Sequence, residues 1–124
     1  MQKLRFALSA VIATAIVLSV AACAPAKLDI TNVAGIIDTR PYAEYYKEHI
    51  VGSLNIDYST GDFIALTTPL PKDGKYVIYG ASDDEATAAA QAMFNRGYVD
   101  VTNVGTYENA KTVIDLPLVK NSNK

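Results

Sequence analysis

The stretch YVIYGASDDEA, residues 76–86, places one hydroxyl and three consecutive carboxylates between an apolar run and an alanine-rich run. An apolar strand that leads through a tight loop into a helix often places a nucleophile or a phosphate-binding cradle at that loop. Carboxylates can act as general acids or bases or bind cations, whereas a serine needs a neighbouring base to become a nucleophile. Ser82 and the acids Asp83, Asp84 and Glu85 are therefore the first candidates for chemistry.

The same four residues also have a purely structural interpretation, which we favour. Ser82 and Glu85 have the Ser-x-x-Glu spacing of a capping box, and either Ser82 or Asp83 could cap the helix that follows. Acids in a first helical turn interact favourably with the helix dipole, by about 0.3–1 kcal/mol each when exposed. The alternative is a changed binding pocket whose carboxylates attract a cation or a partner's basic side chain. A dedicated metal site would need more ligands in fixed geometry.

Strand-like segments recur along the chain and would position this loop. Ile36 and Ile37 form the β-branched centre of an apolar run that predicts a buried strand. Because helix-like segments separate the strands, we predict an α/β fold, with a small central parallel sheet covered by helices on both faces. Further strands are predicted within residues 52–58, 75–80 and 99–105.

Two helices are predicted from residue spacing. The tyrosines and the isoleucine of residues 42–50 recur at helical intervals. Residues 83–98 begin with acids and continue with alanines, which favours a longer helix with Gly97 as its C-cap. We expect Met93 and Phe94 of this helix to face inward. From residue 106 onwards we predict only a last helical turn or two and an apolar tether.

In a parallel sheet of this kind, binding sites lie in loops at the C-terminal ends of the strands. Two loops qualify: DTRP, residues 38–41, and GASDDE, residues 80–85. We favour a salt bridge between Asp38 and Arg40 that fixes the loops, because acidic neighbours give Arg40 ready partners. The alternative is that Arg40 binds an anion in the pocket. The candidate pocket residues are Asp38, Arg40, Gly80 and Ser82.

Residues 36–57, IIDTRPYAEYYKEHIVGSLNID, resemble the opening motif of rhodanese-like domains. That motif is an apolar strand ending in Asp-x-Arg, a helix with an acid and an aromatic residue, and a His-Ile-x-Gly-(Ala/Ser)-x-Asn-Ile segment. The resemblance covers roughly residues 32–107 and implies a rhodanese-like three-layer sandwich over residues 32–118, similar to the small single-domain periplasmic, phage-shock type. The matching positions are Asp38, Arg40, Glu44, Tyr45, His49, Ile50, Gly52, Ser53, Asn55 and Ile56, and further on Gly97, Tyr98 and Val101.

The resemblance also implies where a nucleophile would lie. In this family a cysteine thiolate opens the loop after the strand, and loop amides and the helix N-terminus stabilise it. Gly80 stands at that position, and Asp83 and Asp84 fall near the loop's usual glycine and arginine. A replacement pair of Ser82 with His49, the only histidine, is a less favoured alternative. We therefore expect no catalytic residue in the degenerate loop, which consists of Gly80, Ala81, Ser82, Asp83, Asp84 and Glu85.

These features together predict a catalytically inactive rhodanese-like domain that acts as a binding or structural module. The alternative is a sulfurtransferase-family enzyme with residual or altered activity. No cofactor and no metal are predicted, since one histidine and one cysteine are too few for a structural zinc site. The expected partner is an unidentified protein or small ligand at the degenerate loop.

The start of the chain predicts export. Lys3 and Arg5 precede residues 6–22, an uncharged run with small residues at its end, which is typical of a signal peptide. A membrane-spanning helix is the alternative, although this run reaches only the short limit for a span. Residues 20–23, VAAC, resemble the lipobox of bacterial lipoproteins, which implies cleavage before Cys23 and lipidation of that residue.

The chain is therefore expected to comprise a signal peptide over residues 1–22, a linker over residues 23–31 and, after the domain, a disordered tail over residues 119–124. Lipidated Cys23 would anchor it to a membrane, on the periplasmic or extracytoplasmic side of a bacterial cell envelope. Ordinary signal cleavage slightly further along the chain would instead release a soluble, secreted protein.

Composition narrows the function further. The chain has 124 residues, enough for one small domain. Cleavage before Cys23 removes two of its eleven basic residues and leaves nine against 13 acidic ones. This acidic balance argues against nucleic-acid binding. Cys23 is the only cysteine, so no internal disulfide can form.

Overall fold

The computed structural model describes residues 26–122. The predicted signal peptide and Cys23 lie outside the described residues. The strands are β1 (Val33–Asp38), β2 (Glu48–Ile50), β3 (Leu54–Asn55), β4 (Lys75–Gly80), β5 (Asp100–Thr106) and β6 (Leu118–Lys120). The helices are α1 (Tyr42–Lys47), α2 (Phe63–Thr67), α3 (Asp83–Asn95) and α4 (Tyr107–Val113), and a 3₁₀ turn covers Tyr58–Thr60.

The central sheet is parallel and has the strand order β3-β1-β4-β5. β1 and β4 are its two middle strands, and they pair with Ile37 opposite Ile78 and Asp38 opposite Tyr79. Strands in such a position are buried on both faces, which is why these two read as apolar runs in the sequence. β2 and β6 form a separate two-stranded antiparallel sheet. The prediction of an α/β fold with a small central parallel sheet is confirmed.

Helices cover both faces of the central sheet, which completes the three predicted layers. The first core cluster joins one face to α2 and α3, and it is built around Ile37, Ile78, Phe63, Ala89 and Met93. The second core cluster joins the opposite face to α4, and it is built around Ile36, Val77, Tyr79, Tyr107 and Ala110.

Helix α3 begins at a capped turn and is followed by a left-handed glycine. The Ser82 hydroxyl accepts a hydrogen bond from the Glu85 amide at 3.1 Å, so Ser82 is the N-cap. Arg96 is the C-cap residue, and Gly97, predicted for that role, comes one position later with φ 94°. A residue without a Cβ adopts this φ at little cost, which explains the glycine.

The prediction that Met93 and Phe94 both face inward is wrong for Phe94. Met93 is buried, whereas the side chain of Phe94 is 65% exposed. Consecutive helical residues are turned by about 100° from each other, so only one of the two can face the sheet. Ala86 and Ala89 lie on the same side as Met93 and set the buried stripe.

Helix α1 is shorter than the predicted helix of residues 42–50. It ends at Lys47, and Glu48–Ile50 form β2 instead. None of the α1 side chains is fully buried. Its tyrosines therefore belong to the rim of the domain rather than to its core.

The last described residues are held by the fold. Leu118–Lys120 pair with β2, and the Asn121 amide donates a hydrogen bond to the Lys47 carbonyl at 2.9 Å. The prediction of a disordered tail from residue 119 is therefore wrong for residues 119–121. Residues 121–124 are all polar, so the composition of this segment does not indicate the short strand that precedes them.

The predicted linker of residues 23–31 is partly packed against the domain. Leu28 and Ile30 contact the second core cluster, and the Leu28 amide donates a hydrogen bond to the Val113 carbonyl at 2.8 Å. Within residues 26–122, none of the helices combines the length and the apolar character needed to cross a bilayer.

Candidate functional site

The two candidate loops lie side by side at the C-terminal edge of the central sheet. The Thr39 amide donates a hydrogen bond to the Tyr79 carbonyl at 3.0 Å, and the Thr39 carbonyl accepts one from the Tyr58 amide at 3.1 Å. Thr39 thus ties the loop after β1 to the end of β4. This adjacency follows from parallel pairing, because neighbouring parallel strands end at the same edge of a sheet.

Gly80, the last residue of β4, has no free space for a side chain. A Cβ atom at this position would lie 2.6 Å from Thr39 Oγ1, 3.1 Å from Glu85 Oε1 and 3.4 Å from the Ala86 nitrogen. Carbon atoms do not approach side-chain oxygens as closely as the first of these distances without displacement. Thr39 is fully buried, so it cannot simply turn into solvent. Any side chain at residue 80 therefore requires its neighbours to move.

The carboxylate of Glu85 turns back into the degenerate loop. Its Oε1 accepts a hydrogen bond from Thr39 Oγ1 at 3.1 Å and lies 3.5 Å from the Ala81 amide, at the limit of a hydrogen bond. Thr39 Oγ1 lies equally close, at 3.1 Å, to the Tyr79 carbonyl oxygen, so these two acceptors share its single proton. The predicted capping box is therefore modified: Ser82 caps the Glu85 amide, but the Glu85 side chain reaches Ala81 rather than Ser82. A carboxylate of the chain itself occupies the positive end of α3.

The remaining two acids of the degenerate loop, Asp83 and Asp84, are at exposed positions. A Cβ at Gly105 would lie 2.5 Å from Asp83 Oδ1, so the absence of a side chain at Gly105 makes room for this carboxylate. Gly105 also has φ 79°, which favours glycine. The loop therefore presents two carboxylates to solvent and keeps the third inside.

Asp38 and Arg40 form a buried ion pair, the arrangement that we favoured from sequence. Arg40 Nη2 lies 2.8 Å from Asp38 Oδ2, and Arg40 Nε lies 3.0 Å from Asp38 Oδ1. Nη2 also donates to the Glu48 carbonyl at 2.7 Å. Burial alone would lower the pKa of Arg40, but the hydrogen bond and the charge of Asp38 outweigh it and raise the pKa. The guanidinium therefore holds β1 to β2 as a permanent cation.

An aromatic ring covers this ion pair. The Cζ atom of Arg40 lies 3.7 Å from the centroid of the Tyr107 ring, and Lys111 Nζ lies 4.6 Å from the same centroid. The Tyr107 hydroxyl donates a hydrogen bond to Glu48 Oε1 at 2.8 Å. Burial and the bond to Glu48 raise the pKa of Tyr107. The Arg40 side chain therefore contacts Asp38, the Glu48 carbonyl and the Tyr107 ring of α4.

The structure gives Ser82 and His49 separate roles. The Ser82 hydroxyl caps α3. The His49 ring stacks on Tyr45 with centroids 3.8 Å apart, and its Nδ1 lies 2.7 Å from the Tyr45 carbonyl oxygen. A serine nucleophile requires a base in hydrogen-bond contact, and each of these side chains is engaged elsewhere.

Sequence reasoning missed three residues that shape this region: Thr39, Glu48 and Tyr107. Thr39 lies inside the DTRP loop, so its position was visible, but its contact with Glu85 joins residues 46 apart in the sequence. The Tyr107–Glu48 bond joins residues 59 apart. No local spacing reveals contacts of this kind.

A separate apolar cavity of about 310 Å³ opens beside α2 and the 3₁₀ turn. It is lined by Tyr58, Ser59, Gly61, Phe63, Ile64 and Ala92. None of these residues belongs to the degenerate loop. Within the described part of the chain, no group of three or more histidine, cysteine, aspartate or glutamate side chains is arranged to hold a metal ion.

The comparisons with known proteins agree on one family. Residues 21–110 match the profile of the rhodanese-like domain. A rhodanese-like domain from Anabaena sp. superposes with a TM-score of 0.63 at 22% identity, over 72% of this chain and 89% of that one. A structure described as rhodanese with anions from E. coli gives a TM-score of 0.57 at 27% identity, over 70% of this chain and 98% of that one.

A thiosulfate sulfurtransferase from Pseudomonas aeruginosa gives a TM-score of 0.58 at 20% identity, over 70% of this chain and 17% of that one. No curated protein matches the chain significantly. The family profile spans well over half of the sequence, and the solved structures share its fold. The chain therefore belongs to the family of rhodanese-like domains.

Proposed function

We propose that the protein is an exported, lipid-anchored rhodanese-like domain that does not transfer sulfur and serves as a binding or structural module at a bacterial cell envelope. The observation that carries the proposal is the surrounding of Gly80. The position where the family resemblance places a thiolate has no side chain, and Thr39 and Glu85 fill the space beside it.

Sulfur transfer of the family type needs a nucleophile that carries the sulfur atom and donors that stabilise its charge. Gly80 supplies no nucleophile. The Thr39 hydroxyl donates to the Glu85 carboxylate, which also lies beside the Ala81 amide. A negative group held within the loop repels an anionic sulfur donor such as thiosulfate. The nucleophile and the anion site are therefore lost together.

The charge of the degenerate loop indicates the kind of ligand that it could accept. Asp83 and Asp84 expose their carboxylates on the first turn of α3. A partner that presents a basic side chain is compatible with this surface, whereas an anion is not. Because the chain is acidic overall, we propose a protein or a small cationic ligand, and no nucleic acid.

The anchor is proposed from the VAAC segment alone. Acylation of Cys23 would attach the domain to a membrane through the residues that precede Leu28. To test it, the full chain is expressed with its own N-terminal segment in a bacterial host, and membrane extracts are separated into detergent and aqueous phases. The wild type should enter the detergent phase and Cys23→Ala should not. A Ser82→Ala variant, which leaves the anchor intact, should behave like the wild type.

The absence of sulfur transfer is tested by incubating the protein with thiosulfate and cyanide and measuring thiocyanate. The expected yield equals that of a protein-free blank, while an active sulfurtransferase under the same conditions gives the positive reference. Turnover above the blank would favour the alternative, a sulfurtransferase-family enzyme with residual or altered activity. The anchor and activity tests are independent, so either half of the proposal can fail alone.

A further inference from the structure

The chain enters the domain at the edge of the sheet where the strands begin, opposite the degenerate loop. Lys27 Nζ donates a hydrogen bond to the Thr112 carbonyl at 2.7 Å, at the end of α4. Lys75, the first residue of β4, donates through Nζ to the Asp29 carbonyl at 3.1 Å. We call this surface the strand-start edge. It comprises Lys27, Lys72, Lys75, Phe94, Arg96 and Val99.

The strand-start edge carries the two most exposed large apolar side chains of the described residues. Val99 is 74% exposed and Phe94 is 65% exposed. The Val99 amide donates to the Lys72 carbonyl at 3.2 Å, which places Val99 beside the turn before β4. Phe94 lies in the last turn of α3, which ends at Asn95, four positions before Val99. Two strongly exposed apolar side chains on one edge are compatible with an interaction surface.

The two edges of the sheet differ in charge. The strand-start edge has four basic side chains against three acidic ones, and therefore a small positive excess. The basic residues are Lys27, Lys72, Lys75 and Arg96, and the acids are Asp29, Asp73 and Asp100. At the opposite edge, the cation Arg40 is buried in its ion pair, while Asp57, Asp83 and Asp84 are left without such a partner on the loops there. An anionic bilayer therefore repels the loop edge and tolerates the strand-start edge, within a Debye length of about 8 Å at physiological salt.

The proposed attachment point lies close to the strand-start edge. Only four residue steps separate Cys23 from Lys27, and a fully extended chain spans at most about 14 Å over that number of residues. The loop edge lies a whole strand further away, about 17 Å for the six residues of β4. A lipid on Cys23 would thus bring the strand-start edge, rather than the degenerate loop, toward the headgroups.

We propose that the strand-start edge docks onto the anionic headgroup region of the bilayer that holds the acyl chains, with Phe94 and Val99 inserted and the degenerate loop turned outward. The inference rests on the proposed anchor at Cys23. The basic side chains contribute attraction to the headgroups, and their long apolar stems let them lie along the interface.

The test uses tryptophan fluorescence, because the chain has no tryptophan of its own. Full-length protein, purified in detergent from bacterial membranes, is reconstituted into vesicles of phosphatidylglycerol and phosphatidylethanolamine with brominated acyl chains, which quench nearby indoles. One variant carries Val99→Trp and the matched control carries Tyr42→Trp, at a position that is 63% exposed on α1. We expect strong quenching at residue 99 and weak quenching at residue 42.

Charge dependence is tested in the Val99→Trp background with Lys72→Gln, against Lys47→Gln at the exposed end of α1. Loss of one cation at the headgroups weakens docking about fivefold, so Lys72→Gln should reduce quenching and Lys47→Gln should not. Reduction by neither variant would overturn the electrostatic part of the proposal. Equal quenching at residues 99 and 42 in protein that floats with the vesicles would overturn docking and leave the anchor in place. Protein that does not float at all would overturn both.

Discussion

The Thr39 hydroxyl donates a hydrogen bond to the Glu85 carboxylate across the end of β4, at 3.1 Å. The same two oxygen atoms are the ones nearest to a Cβ at Gly80. Three residues from two loops therefore form one packed unit, in which the absence of a side chain at Gly80 is a condition for the bond between the other two. A change at any one of them acts on the others.

Restoring a cysteine at residue 80 alone should not restore sulfur chemistry. Gly80→Cys overpacks the site and should lower the free energy of unfolding by about 1–3 kcal/mol. It should form no persulfide with thiosulfate, because Glu85 still repels the anion. The triple variant Thr39→Ala, Gly80→Cys, Glu85→Ala frees the space and removes the charge. We expect the thiolate of this variant at residue 80 to attack the outer sulfur of thiosulfate, break its S–S bond and release sulfite. The gain of one sulfur atom at residue 80 is measured by mass spectrometry of its fragments.

Gly80→Ala in the wild type and in a Thr39→Ala background gives the matched control for packing. Gly80→Ala should lower the free energy of unfolding by less in the Thr39→Ala background than in the wild type. We expect the two losses, measured by urea unfolding, to differ by about 0.5–3 kcal/mol. A persulfide in the single Gly80→Cys variant would show that the contact yields readily, contrary to this prediction.

The buried ion pair should dominate the stability of the loop after β1. Arg40→Met leaves the Asp38 carboxylate, which is fully buried, without its partner. Removal of one member of a buried pair typically costs about 3–5 kcal/mol. The double variant Asp38→Asn, Arg40→Met should recover part of this loss. Lys120→Gln, which breaks an exposed contact with Glu48 at 3.6 Å, should change stability by less than about 1 kcal/mol. Equal effects of the buried and exposed changes would contradict the assigned role of Arg40.

Glu48 should make stability depend on acidic pH. The hydrogen bond from Tyr107 lowers the pKa of Glu48 below its usual value of 4.5, against partial burial and with help from Lys120 and Lys111. Because the pKa of Glu48 is lower in the folded state than in the unfolded state, its ionised carboxylate contributes its full stabilisation at pH values above the unfolded-state pKa. This stabilisation is lost as the pH falls through the folded-state value.

Tyr107→Phe removes the donor, so the pKa of Glu48 should rise toward its usual value. The melting temperature of this variant should then fall less steeply with acidification than that of the wild type. The pKa is followed by NMR titration of the Glu48 side chain, and Tyr42→Phe serves as the control with an exposed ring. A Glu48 titration curve that is identical in the wild type and Tyr107→Phe would refute the role of the Tyr107 bond.

Strand β6 should contribute measurably to stability. Deletion of residues 117–124 removes the partner of β2 and the Leu118 side chain that packs on the second core cluster. Full burial of a leucine side chain contributes about 1.5–3 kcal/mol. Leu118 is only partly buried, so its loss should lower the free energy of unfolding by less than this, and the urea midpoint should fall. Deletion of residues 122–124 leaves β6 intact and should have little effect. The amides of β2 should also exchange faster with solvent in the longer deletion only. If the two deletions have the same midpoint, β6 does not support the domain.

The parallel sheet and the adjacency of the two loops could be predicted because they depend on local patterns. The β-branched runs around Ile37 and Ile78 specify buried strands, and parallel strands bring their C-terminal loops together. The cap at Ser82 was also visible, since Ser82 and Glu85 are three positions apart. These features need no knowledge of distant contacts.

The closure of the loop and the direction of Phe94 could not be predicted for physical reasons. The Glu85 side chain could have pointed to solvent, and only the position of Thr39, fixed by strand pairing, gives it a donor. The face of α3 that is buried was ambiguous because alanines occur on several sides of the helix. Alanine is tolerated on a buried or an exposed face, so the phase of the stripe depended on the sheet beneath it.

The pairing of β2 with β6 also sets an order of assembly. Asn121 donates through its side chain to the Tyr46 carbonyl, 75 residues earlier in the sequence, and β6 pairs beside this contact. Pairing across so long a separation raises the contact order, which is associated with slower folding. A nascent chain has no partner for β2 until residues 118–120 have been made. Strand β2, which follows the Asp38–Arg40 pair in the sequence, can therefore pair only after the C-terminal end of the chain has been synthesised.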